Sequence, residues 1–194
     1  MKKWLPLAGM FFGTLALVLL ISSWKSSGAD ELDVIDTVGG EFSLLNGDGK
    51  RIGLKDFSGR PVLMFFGYVA CPDVCPTTML TLKKVKKQLG KEGEAVQVVF
   101  ITLDPERDGP KEVKEYAAFW DPSFIGLTGS MEEIQDTTKK FRAFFKKKES
   151  GSAAGYLVAH TDIMYLLDGQ GRTRGLYQLS DPVENIVNDV RKLL

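Results

Sequence analysis

The side chains best suited to redox or metal chemistry in this chain are few. Cys71 and Cys75 are its only cysteines and His160 is its only histidine. The cysteines stand in Cys71-Pro72-Asp73-Val74-Cys75-Pro76. A Cys-X-X-Cys turn would read as a dithiol redox site. Here the spacing is one residue longer, which opens the loop and lets both sulfurs point at one external atom. Two soft thiolates suit Cu(I) or Zn. The competing reading is a pair of buried, inert cysteines or a plain structural disulfide.

What precedes and follows the thiols argues against inertness. Val62-Leu63-Met64-Phe65-Phe66 is an apolar run bounded by Pro61 and Gly67, the pattern of a buried strand. After Pro76, residues Met79, Leu82, Val85 and Leu89 recur on one helical face. The thiols therefore sit on a strand-to-helix turn, and Pro76 suits a first helical position, where its missing N–H is no loss. A helix N-terminus favours negative charge, so both thiol pKa values are expected to fall there.

His160 follows the glycine- and serine-rich segment Ser150-Gly151-Ser152-Ala153-Ala154-Gly155. A lone histidine is ordinarily a surface or satisfied core residue. The glycine-rich approach raises its prospects as a ligand, because such a loop could carry the imidazole to the thiols. The spacing places His160 at the start of a strand through Ile163–Leu167. There Asp162 would share its face and could orient the ring. Asp104-Pro105-Glu106-Arg107-Asp108 ends another apolar run, at the strand end where ligand sites of α/β sheets gather. Arg107 could pair with Asp104 or Asp108, although on chemistry alone a turn stabilised by Asp and Pro is the preferred reading of the segment. The groups Lys83-Lys84, Lys86-Lys87 and Lys146-Lys147-Lys148 read as solvated helix faces.

The elements that must position these residues alternate along the chain. Asn46-Gly47 and Asp48-Gly49 mark a hairpin between Phe42–Leu45 and Lys50–Leu54. Val96–Leu103 reads as a central strand. Pro110 opens a helix through Trp120, and Phe124–Thr128 is a short strand. Ser130 with Glu133 makes a capping box for a helix to about Phe145. A hairpin over Ile163–Gln178 and a closing helix after Pro182 complete the chain. Strands alternating with helices give an α/β fold, a central mixed sheet flanked by helices.

The chain has 194 residues and balances 25 basic against 25 acidic side chains, so no basic field points to nucleic acid. Two cysteines cannot scaffold it, so the core must stabilise it and the thiols are left for chemistry. Leu5–Ile21 is an apolar stretch preceded by Lys2 and Lys3 and flanked by Trp4 and Trp24. It reads as an uncleaved membrane-spanning helix, with the lysines in the cytoplasm and the remainder outside. A cleaved signal is the alternative, since Ser26-Ser27-Gly28-Ala29 is rich in small residues. The expected organisation is an anchor over 1–24, a linker over 25–40 and a globular domain over 41–194.

Phe66-Gly67-Tyr68, the Cys71–Pro76 motif, Asp104–Asp108 and His160-Thr161 with Tyr165-Leu166 together resemble the Sco/SenC family over about residues 40–194. The resemblance implies a thioredoxin-like fold with an N-terminal transmembrane helix. It also implies copper held by Cys71, Cys75 and His160, and a role in building the dinuclear copper centre of cytochrome c oxidase. The expected setting is the cytoplasmic membrane, with the domain on the extracytoplasmic side. The expected partners are the copper-receiving oxidase subunit and, further, other copper chaperones or thiol oxidoreductases. The chain departs from the family pattern at Val69-Ala70, where a polar pair or histidine is frequent, and at Ala159, where an acid is frequent. Two rival activities use the same thiols. One is thiol–disulfide exchange with a partner protein, with Cys71 and Cys75 as redox thiols. The other is a thiol peroxidase.

Overall fold

A computed structural model describes residues 31–150 and 155–194. Its centre is a seven-stranded mixed sheet in the order β2-β1-β5-β4-β3-β8-β9. The strands are β1 (Leu44–Asn46), β2 (Arg51–Ile52), β3 (Val62–Gly67), β4 (Gln97–Thr102), β5 (Ile125–Thr128), β8 (Met164–Leu167) and β9 (Thr173–Tyr177). Strands β3, β4 and β5 are parallel, while β8 and β9 run antiparallel beside β3. The continuous apolar run over β3 is buried at every position, as expected for a strand covered on both faces.

Four α-helices are described: α1 (Val74–Leu89), α2 (Pro110–Trp120), α3 (Met131–Lys140) and α4 (Val183–Arg191). Side-chain alternation along β3 divides the core. Phe65 meets Phe100 of β4, which packs on Tyr116 of α2 at 4.8 Å. On the opposite face Phe66 meets Tyr165 and Phe141, the residue just after α3. Helices α1 and α4 pack on each other. The arrangement is the expected mixed sheet flanked by helices. The capping box at Ser130 and Glu133 also forms, with both reciprocal bonds present.

Four local expectations fail. Helix α3 stops at Lys140 rather than near Phe145, because Arg142 turns the chain with φ 53°. The chain then forms β6 (Phe145–Glu149), which pairs antiparallel with β7 (Tyr156–His160) as a separate two-stranded sheet. So Lys146, Lys147 and Lys148 lie on a strand, and His160 ends a strand of its own instead of opening β8. Pro76 is the third helical residue of α1 and not the first. The position is tolerated for the same reason, since none of the first four N–H groups of a helix has an intrahelical partner.

The segment leading into the sheet is also held. Ile35 donates its N–H to the Thr173 carbonyl, and Arg142 and Lys140 donate to the carbonyls of Thr37 and Glu41. Arg174 donates to the Leu32 carbonyl and pairs with Asp168 at 2.7 Å, with both side chains almost fully buried. Among the described residues no helix is long and apolar enough to cross a membrane. The apolar run Leu5–Ile21 lies outside them.

Replacing Arg174 with leucine should leave Asp168 buried with Arg172 as its remaining cation, 2.9 Å away. The expected loss lies toward the low end of the about 3–5 kcal/mol found when one partner of a buried pair is removed. Burial raises the Asp168 pKa, but its bonds to Arg174 and to the Arg172 and Gln170 backbone outweigh this and hold it below 3.8. Its stabilisation is therefore present above that pH and lost as pH falls through the lowered value. Denaturant unfolding of wild type and Arg174→Leu at pH 7 and pH 3 measures both effects. The gap between the two proteins should narrow in acid.

Candidate metal centre

The site forms at the carboxyl ends of the parallel strands. β3 ends at Gly67, and the chain then turns, with Cys71 donating its N–H to the Tyr68 carbonyl at 3.2 Å. Asp73 stands just before the helix without a side-chain capping bond and α1 begins at Val74, so Cys75 is the second helical residue. Its sulfur packs directly on the strand end. A Cβ at Gly67 would stand 2.8 Å from Cys75 Sγ, closer than real Cβ atoms approach. Glycine is therefore what allows the thiol to sit there.

The structure brings the three expected ligands together. One ligand atom each from Cys71, Cys75 and His160 lie within 4.8 Å of one another. Cys75 Sγ is 3.5 Å from His160 Nε2. A metal bound at about 2.3 Å from sulfur and about 2.0 Å from nitrogen at tetrahedral to trigonal angles needs those atoms about 3.5–3.7 Å apart. The donor set fits a soft or borderline metal on both distance and chemistry. Cys75 is buried, whereas Cys71 is half-buried at the mouth, and both are free thiols.

The ring of His160 is fixed in a usable tautomer. Nδ1 lies 2.9 Å from the Thr161 carbonyl, which can only accept, so Nδ1 carries the proton. Nε2 is left with its lone pair facing Cys75. Phe65 and Tyr68 pack edge-on against the ring at 6.1 and 6.0 Å. Asp162 does not orient the ring as expected. It accepts a hydrogen bond from Thr78 Oγ1 at 3.3 Å, on the second turn of α1. The backbone carbonyl does the work assigned to Asp162, and sequence offers no signal for that because every residue carries one.

Only one of the two thiols behaves as the helix N-terminus argument expects. The Cys75 thiol donates to the Cys71 sulfur and pulls its pKa down to about 3, against the opposing effect of burial, with His160 assisting. The same hydrogen bond, together with burial, drives the Cys75 pKa strongly up. One proton is thus shared by the pair and resides on the buried sulfur. Burial lowers the His160 pKa, but the Cys71 sulfur and the Thr161 carbonyl outweigh it and the net shift is upward. Without a metal, the site is a thiolate–imidazole pair with a buried thiol behind it.

The Asp104–Asp108 turn is more than a stop signal. Asp108 accepts from the Val69 N–H at 2.9 Å and from Thr102 Oγ1 at 2.6 Å, tying the thiol loop to the end of β4. Burial raises the Asp108 pKa, and these two bonds oppose the rise. Arg107 pairs with Asp104, as one of the two sequence alternatives had it. Tyr156 and Tyr68 complete the surroundings, and neither was singled out individually from the sequence. Tyr156 donates to Asp104 Oδ1 at 2.8 Å.

Comparison with known proteins points to one family. A family model described as SCO1/SenC matches residues 31–194. An SCO2-like protein of Rickettsia conorii is 32% identical over 177 residues, covering 89% of this chain and 86% of the relative. The structure of Bradyrhizobium japonicum ScoI with copper bound superposes with a TM-score of 0.74 at 36% identity, over 81% of this chain and 99% of that one. The structure of BsSco reports a disulfide switch in a member of the Sco family of cytochrome c oxidase assembly proteins. It superposes with a TM-score of 0.67 at 27% identity, over 84% and 97% of the two chains.

The unequal thiols give a direct expectation. With brief iodoacetamide treatment of the reduced, metal-free protein, Cys71 should be alkylated first and Cys75 only after unfolding. Because the Cys71 pKa is lowered, its rate should stay nearly flat from pH 8 to about pH 5, then fall as the thiolate is protonated near pH 3. Peptide mass mapping reads this out. Equal labelling of both thiols, or a rate that drops tenfold per pH unit below pH 8, would contradict the assignment.

Proposed function

The chain belongs to the SCO1/SenC family, and on that premise we propose that it is a copper-binding assembly factor for the dinuclear copper centre of cytochrome c oxidase. Copper is its cargo, held by Cys71, Cys75 and His160. The observation that carries the reading is the convergence of two thiol sulfurs and one correctly tautomerised imidazole within 4.8 Å. Two thiolates can hold Cu(I) without further help. Cu(II) favours nitrogen ligands and oxidises unprotected thiolates, so the imidazole matters more to that state. The copper-bound structure of the Bradyrhizobium relative supports the choice of metal.

We extend the reading to the whole chain. Residues 1–24 anchor it in the cytoplasmic membrane, 25–40 link the anchor to the domain, and 41–194 form the copper-binding domain on the extracytoplasmic side. The copper-receiving oxidase subunit is the partner. Support comes from the apolar run Leu5–Ile21 with its flanking Trp4 and Trp24 and the preceding lysines.

A second activity is favoured by one specific observation. Cys71 is an accessible, low-pKa thiolate with a protonated thiol beside it, the arrangement of an attacking and a resolving cysteine. Exchange with a disulfide of the recipient would prepare its cysteines for copper. The attack forms a mixed disulfide at Cys71 and releases one recipient thiolate. Cys75, losing its proton, then closes the Cys71–Cys75 disulfide and releases the second thiol.

His160→Ala should lose most stable Cu(II) binding, with its thiolate-to-copper absorption, while Cu(I) binding falls less. Cys71→Ser or Cys75→Ser should damage both, and oxidation to the disulfide should abolish most binding. Anaerobic Cu(I) titration and aerobic Cu(II) titration decide it. An unchanged Cu(II) spectrum in His160→Ala would remove His160 from the ligand set. Separately, carbonate-washed membranes should retain the full chain. A mature form starting near Ala29 and free of the membrane would overturn the anchor.

A further inference from the structure

His160 is carried by a hairpin that shares no ladder with the main sheet, since β6 and β7 pair only with each other. A two-stranded hairpin is marginally stable by itself. Something other than sheet hydrogen bonding must hold it over the thiols. Near His160, Thr161 donates its N–H to the Phe144 carbonyl at 2.9 Å, but that bond lies within the base of the hairpin.

Side-chain alternation shows where the hold comes from. Along β7, Tyr156, Val158 and His160 share one face, and Ala159 between them is exposed. Val158 is buried in the core. Tyr156, four residues before His160, meets the Asp104–Asp108 turn. Its hydroxyl donates to Asp104 Oδ1 at 2.8 Å, and its carbonyl accepts from Arg107 Nη1 at 3.2 Å. The Arg107 guanidinium lies over the Tyr156 ring at 3.9 Å and 5.8 Å from the Tyr68 ring. Arg107 Nε also donates to Asp104 Oδ2, which closes a three-residue ring of contacts. The Asp104 side chain is fully buried, so both partners are needed to offset its desolvation.

We propose that Asp104, Arg107 and Tyr156 form a latch that seats the hairpin and so positions His160 as a ligand. The latch lies about 13 Å from the ligand along the strand, at the usual rise per residue. It touches no reacting atom and acts only through placement. The same turn also fixes the thiol loop through Asp108 and Val69, so one short segment sets the distance between the two halves of the site. Lys147 adds an ion pair to Glu106 at 2.6 Å, but both side chains are exposed and the pair contributes little.

This rests on the copper reading for its second measurement only. The first uses the metal-free full chain. Tyr156→Phe keeps the ring under Arg107 and deletes one bond to a carboxylate. Arg107→Lys keeps the charge and deletes the fork and the stacking. Amide hydrogen exchange over 158–160 should speed up about tenfold in each, the effect expected from losing one charge-assisted bond. Exchange in the Val62–Gly67 and Gln97–Thr102 strands should not change. With copper, both variants should lose about tenfold in Cu(II) affinity and show weakened nitrogen splitting in the electron paramagnetic resonance spectrum. Cu(I) affinity should change by less than about twofold, because two thiolates suffice for it. Wild-type exchange in both variants overturns the latch. So does an equal fall of Cu(I) and Cu(II) affinity with a lowered melting temperature, which marks a general structural role. If wild type itself binds no copper, the copper reading fails, and the exchange data alone decide the latch.

Discussion

Two thiols and one imidazole on separately built pieces of backbone have to meet within 4.8 Å, and almost everything near the site serves that meeting. The thiols ride on the start of α1, which is pressed against the end of β3 where Gly67 leaves room for Cys75. The imidazole rides on a hairpin outside the main sheet. Between them lies the turn after β4. Its first aspartate and its arginine grip the hairpin, and its last aspartate grips the thiol loop. Both carboxylates are nearly inaccessible to water. Buried charges are costly unless every oxygen is partnered, so such a turn resists rearrangement. The three ligand atoms lie within 4.8 Å of one another with no metal present.

The electrostatics of the empty donor set follow from the same closeness. Two thiolates this near each other cannot both be charged without a cation. The pair holds one proton, and that proton settles on the buried sulfur, leaving the negative charge on the half-exposed one. A metal ion replaces the shared proton and lets both sulfurs ionise. Metal binding is thereby coupled to proton release. The imidazole donates its Nδ1–H to the Thr161 carbonyl, which leaves Nε2 as the ligating nitrogen, so no tautomer change is needed for it to join.

Much of this was legible in the sequence, and the illegible remainder has physical causes. The strands β3 and β4 announced themselves because both of their faces are covered, so nearly every residue is apolar. Helix α2 and the capping box of α3 were read from local chemistry that tertiary packing did not override. The β6–β7 hairpin was not read, because Phe145–Glu149 carries three lysines that face outward or lean on Tyr156, and its apolar content is a single residue. With that hairpin missed, His160 was placed on the wrong strand and Asp162 was given the ring. The three residues that the family resemblance implies as ligands still converge, because their meeting does not depend on which strand carries His160. What positions them depends on a backbone carbonyl and on a tyrosine after a glycine-rich stretch, and neither has a distinctive sequence signal.

The unequal burial of the two sulfurs also gives the site a direction. Cys75 is packed beneath the helix start and behind the imidazole, so no incoming group can reach it first. Cys71 is the less buried of the two and its pKa is lowered. On the copper reading, a recipient's ligand replaces Cys71 before Cys75, and the cargo passes through an intermediate shared between the two proteins. On the disulfide-exchange reading, the same sulfur attacks first and Cys75 resolves. On both readings a partner meets Cys71 first, and its chain neighbours Ala70 and Pro72 are exposed. A partner shaped for one reaction is already placed for the other. The two reactions nonetheless exclude each other within one encounter, because reducing a recipient's disulfide leaves Cys71 and Cys75 joined and without the thiolates that copper needs.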